Sequence, residues 1–175
     1  YAEGTYGNYN WMRAAAGVSG PLGDGVGGRL EAIIQKRDGL LEEINSGDDI
    51  NRMERLFVRA KVRVDATENL RFNFIADYTK RNEDCCAAVL AKAGPVLAKS
   101  NALAAGRGYL NAGSLDPFDR IAATTPGRVN QEDVTDFGFS GQIDWDLGFA
   151  QFVSISAFRK WQANRGQDFD HSGVV

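Results

Sequence analysis

The sequence is poor in the residues that usually carry chemistry. Its 175 residues hold one histidine, His171, two neighbouring cysteines, Cys85 and Cys86, and four prolines. A single histidine excludes HExxH and every multi-histidine metal set, and adjacent cysteines do not give the CxxC spacing of a zinc site. Glu83 and Asp84 offer carboxylates beside the cysteines, but such charges in a connection are ordinarily solvated, so no metal is expected. No nucleophile–base pair or carboxylate dyad stands out, so no enzyme and no cofactor is expected either. Twenty basic residues against 23 acidic ones give a net charge of −3, with no cationic excess to recruit nucleic acid. Gly-Arg-Gly at 106–108 lacks the strand, spacing and Lys of a phosphate loop. No charged n-region with an apolar h-region follows Tyr1, so no signal peptide is visible. No apolar run reaches the roughly 18 residues of a transmembrane helix. That leaves membrane strands open, since they need only about 10 residues of alternating character.

Alternation is what the chain has in abundance. From Arg55 to Asp65, Leu56, Val58, Ala60, Val62 and Val64 fall on one parity. Arg55, Arg59, Lys61, Arg63 and Asp65 fall on the other, and Phe57 is the exception. Side chains alternate faces along a strand, so this segment has an apolar face and an ionised one. After a turn at 66–69 the pattern resumes with Leu70, Phe72, Phe74, Ala76 and Tyr78 against Arg71, Asn73, Asp77 and Thr79. It recurs at 134–147, with Phe137, Phe139, Ile143, Trp145 and Leu147 on one parity. In 151–161, Val153, Ile155 and Ala157 alternate with serines, but Phe152 and Phe158 share the serine parity and leave the facing open. Upstream, a strand through Met12, Ala14, Ala16 and Val18 turns at Pro21–Gly25 into one carrying Leu30, Ala32 and Ile34. Residues 1–6 read as the end of an earlier strand. The sum is an all-β chain of about seven strands. Residues 87–105 are rich in helix formers and are interrupted by Pro95, which predicts one or two helical turns inside a connection.

Alternation suits a soluble antiparallel sandwich as well as a membrane barrel. Three features favour the barrel. Turns near Gly23, Glu68 and Gly148 are short, whereas the connections on the other side, 38–51, 81–133 and the tail after Gln162, are long, the first far-side turn, Gly7–Asn10, being the exception. The polar faces are densely ionised. Aromatics (Tyr9, Trp11, Tyr78, Trp145, Phe158 and Trp161) collect towards strand ends, as membrane interfaces require.

Several short segments carry a resemblance. Tyr6-Gly7-Asn8-Tyr9-Asn10, Val18-Ser19-Gly20-Pro21-Leu22, Gly28-Arg29-Leu30 and Arg37-Asp38-Gly39 resemble the start of the barrel in TonB-dependent receptors. Ile75-Ala76-Asp77-Tyr78-Thr79-Lys80-Arg81 with Asp84-Cys85-Cys86-Ala87-Ala88 looks like the subgroup common in α-proteobacteria. Ser154-Ile155-Ser156-Ala157-Phe158-Arg159 is similar to a later strand of that subgroup. The resemblance implies an outer-membrane barrel of about 22 strands with a plugged lumen. It also implies a scarce nutrient as substrate, of the siderophore, cobalamin or oligosaccharide class, and TonB acting through the plug. Residues 1–175 would then be an antiparallel transmembrane segment of that barrel, an open fragment. Its partners would be outer-membrane lipid, the plug domain of the same chain, TonB through that plug, and a small-molecule substrate. Neither a plug nor a TonB box lies in this sequence. The alternatives are a non-transporting outer-membrane barrel of porin or adhesin type, and a soluble β-sandwich binding module.

Within that reading, 81–133 is an extracellular loop. Arg107, Tyr109, Asn111, Phe118 and Arg120 are its candidate substrate contacts, the alternative being a loop that only packs on its neighbours. The outer membrane faces an oxidising compartment, so Cys85 and Cys86 are expected to be oxidised, to each other or to a partner. Mass spectrometry of the full-length protein without reductant is expected to find neither thiol free; two free thiols would remove the idea.

Overall fold

The structure, a computed structural model, describes residues 1–128 and 130–174. Val129, inside the long connection, and Val175, in the tail, lie outside the described residues. Seven long strands run in chain order: β1 Ala2–Gly7, β2 Trp11–Gly23, β3 Val26–Arg37, then, after two short strands, β6 Met53–Asp65, β7 Leu70–Glu83, β9 Gln131–Asp146 and β10 Gln151–Gly166. The short strands β4 (Leu41–Glu43) and β5 (Asp49–Ile50) lie in the connection after β3. Helix α1 (Leu97–Ala105) and β8 (Ile121–Ala122) lie in the one after β7. The long strands form one antiparallel sheet in the order β1-β2-β3-β6-β7-β9-β10, and a small second sheet has the order β5-β4-β8. Each long strand pairs with its sequence neighbour, so the large sheet is an open meander.

Register carries the alternation across the sheet. Leu30, Ala60, Ala76, Phe139 and Phe158 form one lateral row, and Gly28, Val62, Phe74, Gly141 and Ser156 form the next. The rings of Phe72, Phe74 and Phe139 stack in sequence, with centroids 6.3 and 6.4 Å apart. The facing of β10, open in the sequence, follows from its register: Phe152 and Phe158 join the apolar face, while Val153, Ile155 and Ala157 lie on the ionised one. Trp11 and Trp161 also fall on the ionised face, because they share rows with Gly7 and Asp136. The expected girdle is therefore corrected. Tyr78 with Phe137 lies towards the loop end of the apolar face, Trp145 with Phe152 at the turn end, and Phe158 near mid-height.

Strand ends differ from expectation where polar residues resembled loop. β7 continues through Arg81, Asn82 and Glu83, which pair with Val134, Asp133 and Glu132 of β9. The connection expected at 81–133 therefore spans only 84–130. The Glu83 carboxylate sits between Arg55 and Arg81, so cross-strand ion pairs hold this polar extension. Pro21 belongs to β2, not to the turn. Pairing with β1 ends at Ala16, so among the described residues Pro21 lies where β2 is an edge, which tolerates a missing N–H. The turn itself is Asp24–Gly25. Gly25 has φ +68, and a Cβ there would meet the Asp65 carbonyl at 2.8 Å, so glycine is required twice over. Helix α1 starts only after Pro95, as the proline's fixed φ and lost donor dictate.

The sheet has no core of its own. Among the described residues no large side chain is fully buried, and the buried apolar ones are Ala15, Ala87, Ala104, Ala122, Ala123 and Val134. Of these only Ala15 and Val134 belong to the large sheet. Phe139 is 47% exposed and Phe158 60%. Among the described residues no second sheet packs on either face of the large one. Both outer strands also present unpaired backbone groups, which recruit other chains. Expressed alone in water, residues 1–175 are expected to associate. Light scattering after size-exclusion would report this, and a cooperative monomer would contradict the open-sheet account.

Candidate functional site

Two regions concentrate polar chemistry, the ionised face of the sheet and the cap formed by the long loops. On the ionised face, Gly17, Glu31, Arg59, Asp77, Gly138 and Arg159 share one row, so charge alternates across it. Arg159 reaches across β9 to Asp77 of β7 and also pairs with Asp136 at 3.2 Å. Gly138 of β9 lies directly beneath this bridge. A Cβ there would stand 3.1 Å from the Asp77 carboxylate and 3.3 Å from the Arg159 guanidinium. The glycine thus lets two strands that are not neighbours share an ion pair. Arg29, Lys61 and Arg63 form a cationic patch nearer the turns. Arg29 is paired with Glu31 and Arg63 with Asp65 (3.0 Å), while Lys61 has no carboxylate within 4.0 Å among the described residues.

The loops at the opposite end fold together. The short strand β4 pairs antiparallel with β5 and parallel with β8, which joins the 38–51 and 84–130 connections in one sheet. The carboxylate of Glu43 is 6% exposed and accepts from the backbone N–H of Asn45 (2.9 Å), Ser46 (2.7 Å) and Thr124 (3.1 Å) and from Asn45 Nδ2. Asn45 in turn clamps Leu110, donating to its carbonyl and accepting from its N–H. The tail is tied in by Asp168, which accepts from the Thr125 N–H at 2.7 Å, and by Thr125 Oγ1 donating to the carbonyls of Ser172 and Val174. At the root of the cap, Asn51 makes two hydrogen bonds with the backbone of Ala87, and Arg52 pairs with Asp84 at 3.0 Å.

The five candidate contact residues fall in different settings. Arg107 and Phe118 are exposed, Phe118 at 88%. Tyr109 is half-buried and lines a cavity. Asn111 is buried, and its Nδ2 donates to Asn101. Arg120 has φ 58 at the end of a 3-10 turn, and its guanidinium carbon lies 5.1 Å from the centre of the Tyr9 ring, locking the loop to the β1–β2 turn. The five do not converge on one point. The sulfurs of the neighbouring Cys85 and Cys86 lie against each other. Their sulfurs lie within 4.8 Å of a Glu132 oxygen, and Glu132 is already paired with Arg165 at 2.8 Å and Arg81 at 3.4 Å. The two sulfurs thus lie beside a carboxylate that is already paired.

Sequence reasoning missed Glu43, Asn45, Thr124, Thr125 and Asp168. The turn signal Asn45-Ser46-Gly47-Asp48 was present, but its partners stand 65 to 81 residues away. The cavity beside Glu43 has a volume of about 370 Å³, and Asp48, Tyr109, Arg128 and Asn130 are among its walls. Compared with known protein families, curated proteins and solved structures, the chain matches none.

Burial alone would raise the Glu43 carboxyl, but the donated hydrogen bonds from Thr124, Ser46 and Asn45 outweigh it and hold its pKa below the ordinary value. A depressed folded-state pKa contributes stability that is complete above the unfolded value and is lost as pH falls through the folded one. Glu43→Ala leaves the buried Thr124 N–H, and the part-buried donors of Asn45 and Ser46, without an acceptor and is expected to cost the cap about 1–3 kcal/mol. Hydrogen-exchange protection at Thr124 and Ser46 is expected to drop in the variant at neutral pH, and in the parent protein only as pH falls below the ordinary carboxylate range towards the depressed Glu43 value. Protection unchanged by the substitution would refute the keystone role of Glu43.

Proposed function

We propose that the chain is part of the barrel of an outer-membrane, TonB-dependent receptor, with the large sheet crossing the membrane and the loop cap outside it on the substrate side. One observation carries the reading: a band of apolar side chains, exposed or half-buried, on one face of a sheet that has no core. In β7 the band runs from Leu70 to Tyr78, and Lys80 follows. Eight steps of about 3.3 Å give about 26 Å along the strand, or roughly 20 Å in height at a tilt of about 40°, close to the apolar belt of such barrels. The band has defined borders. On the loop side, Lys36, Glu54, Lys80, Asp133 and Lys160 take over the same face. On the other side lie the tight turns. In lipid every backbone group must pair, so the two open edges require further strands. The ionised face would then line a lumen, and the cap would enclose or recognise a nutrient before uptake. The resemblance of the short segments to TonB-dependent receptors supports the same reading.

The facing tests it. Val62 lies near the middle of the band, and an Arg there is expected to cost about 2–4 kcal/mol in the assembled full-length protein. Spin labels at 60 and 62 are expected to be accessible to oxygen in the bilayer, and a label at 61 is not. The reverse pattern, with 61 in lipid and its neighbours in water, would sink the proposal.

A further inference from the structure

The cap holds two adjoining cavities that share one wall, the turn at 125–128. The first, of about 370 Å³, has Tyr109, Asp48 and Asn130 among its walls. The second, of about 480 Å³, has Phe169 and Gln167 among its own, and Arg128 belongs to both. Each volume is of the order of a small-ligand site. The donors and acceptors left over after the cap's internal bonding point into a narrow range of chemistry. The Asp48 and Arg128 side chains have no hydrogen-bond or ion-pair partner among the described residues, and Asn130 uses only its oxygen, accepting from Asp168. Phe169 is 85% exposed, a large apolar ring held in a polar surround. Its neighbour Asp168 is 6% exposed and anchored to Thr125, so the segment that carries the ring is fixed.

From this arrangement we infer that the paired cavities form an elongated binding site for a neutral oligosaccharide, with Tyr109 and Phe169 as two stacking platforms and Asp48, Arg128 and Asn130 as hydroxyl-binding groups. A sugar ring offers an apolar C–H face to an aromatic side chain and, at its edge, hydroxyls that both donate and accept. Carboxylate, guanidinium and amide side chains meet those hydroxyls pairwise. Two aromatic platforms, one in each of two cavities that share the 125–128 turn, suit a ligand that repeats this motif. A compact polyanion fits less well: Arg128 is the one cationic wall residue shared by the cavities, and acidic residues flank it in both, Asp48 in the first and Asp168 and Asp170 in the second. This names a substrate class for the receptor reading, and it rests on that reading only for the direction of uptake.

The test uses the full-length protein purified in detergent, so that binding is measured independently of membrane orientation. A glycan array carrying neutral and acidic chains is followed by calorimetry on the strongest neutral hit, with inorganic phosphate as the anion control. The expected result is binding of a neutral glycan, weakened about tenfold or more by Tyr109→Ala and by Phe169→Ala, and retained by Tyr109→Phe. Asp48→Asn is expected to weaken it several-fold. Hydrogen-exchange protection at Thr124 checks that each variant keeps the folded cap. Absence of binding to every neutral glycan overturns the inference, as does binding only of acidic glycans or phosphate, or affinity indifferent to both aromatic substitutions in a folded cap. The spin-label pattern on β6 stands or falls separately.

Discussion

Everything in this chain depends on one constraint: a long antiparallel sheet whose register keeps apolar and ionised side chains on opposite faces, with no layer of its own to bury either. An ordinary domain meets the hydrophobic effect by folding a second layer against the first. Here the second sheet is built from loop residues and sits at the end of the first, leaving the apolar band bare. A surface of that size requires another apolar medium. In the reading proposed above, lipid would be that medium.

The ionised face solves a different problem. Neighbouring strands bring like charges into register, as where Arg55 stands opposite Arg81. Like charges directly opposite are destabilising. The structure answers with carboxylates at the ladder's ends and diagonals. Glu83 serves both Arg55 and Arg81, Asp65 serves Arg63 and Arg71, and Asp77 reaches Arg159 over Gly138. Each pair is partly exposed and individually worth little, so their joint effect is to fix register and facing. One-residue slippage would reverse every side chain and place this network in the apolar band.

The cap depends on buried acids used as acceptors. Glu43 gathers donors from its own turn and from Thr124, and Asp168 does the same for Thr125 and the tail. Loops without much apolar content can be ordered this way, because a charged acceptor makes the stronger class of hydrogen bond. The arrangement also leaves the cap's remaining polar groups, among them Asp48 and Arg128, directed towards its cavities and not consumed in holding it together.

The strands, their facing and the position of the helix were legible in the sequence, because period two, tight turns and Pro95 are local signals acting over a few residues. The β6–β7 hairpin needed nothing else: Val58, Ala60, Val62 and Val64 against Tyr78, Ala76, Phe74 and Phe72 is what alternation and a four-residue turn dictate. Three matters were settled only by tertiary structure. β10 is apolar on both parities, so its facing came from pairing with β9, whose own pattern is unambiguous. The extension of β7 to Glu83 came from β9 and from arginines on two strands, since polar residues carry no strand signal by themselves. The cap came from contacts between residues as far apart as Glu43 and Thr124. A hydrogen bond between two such loops has no periodicity to announce it, which is why the candidate site, unlike the sheet, could not be assembled from sequence.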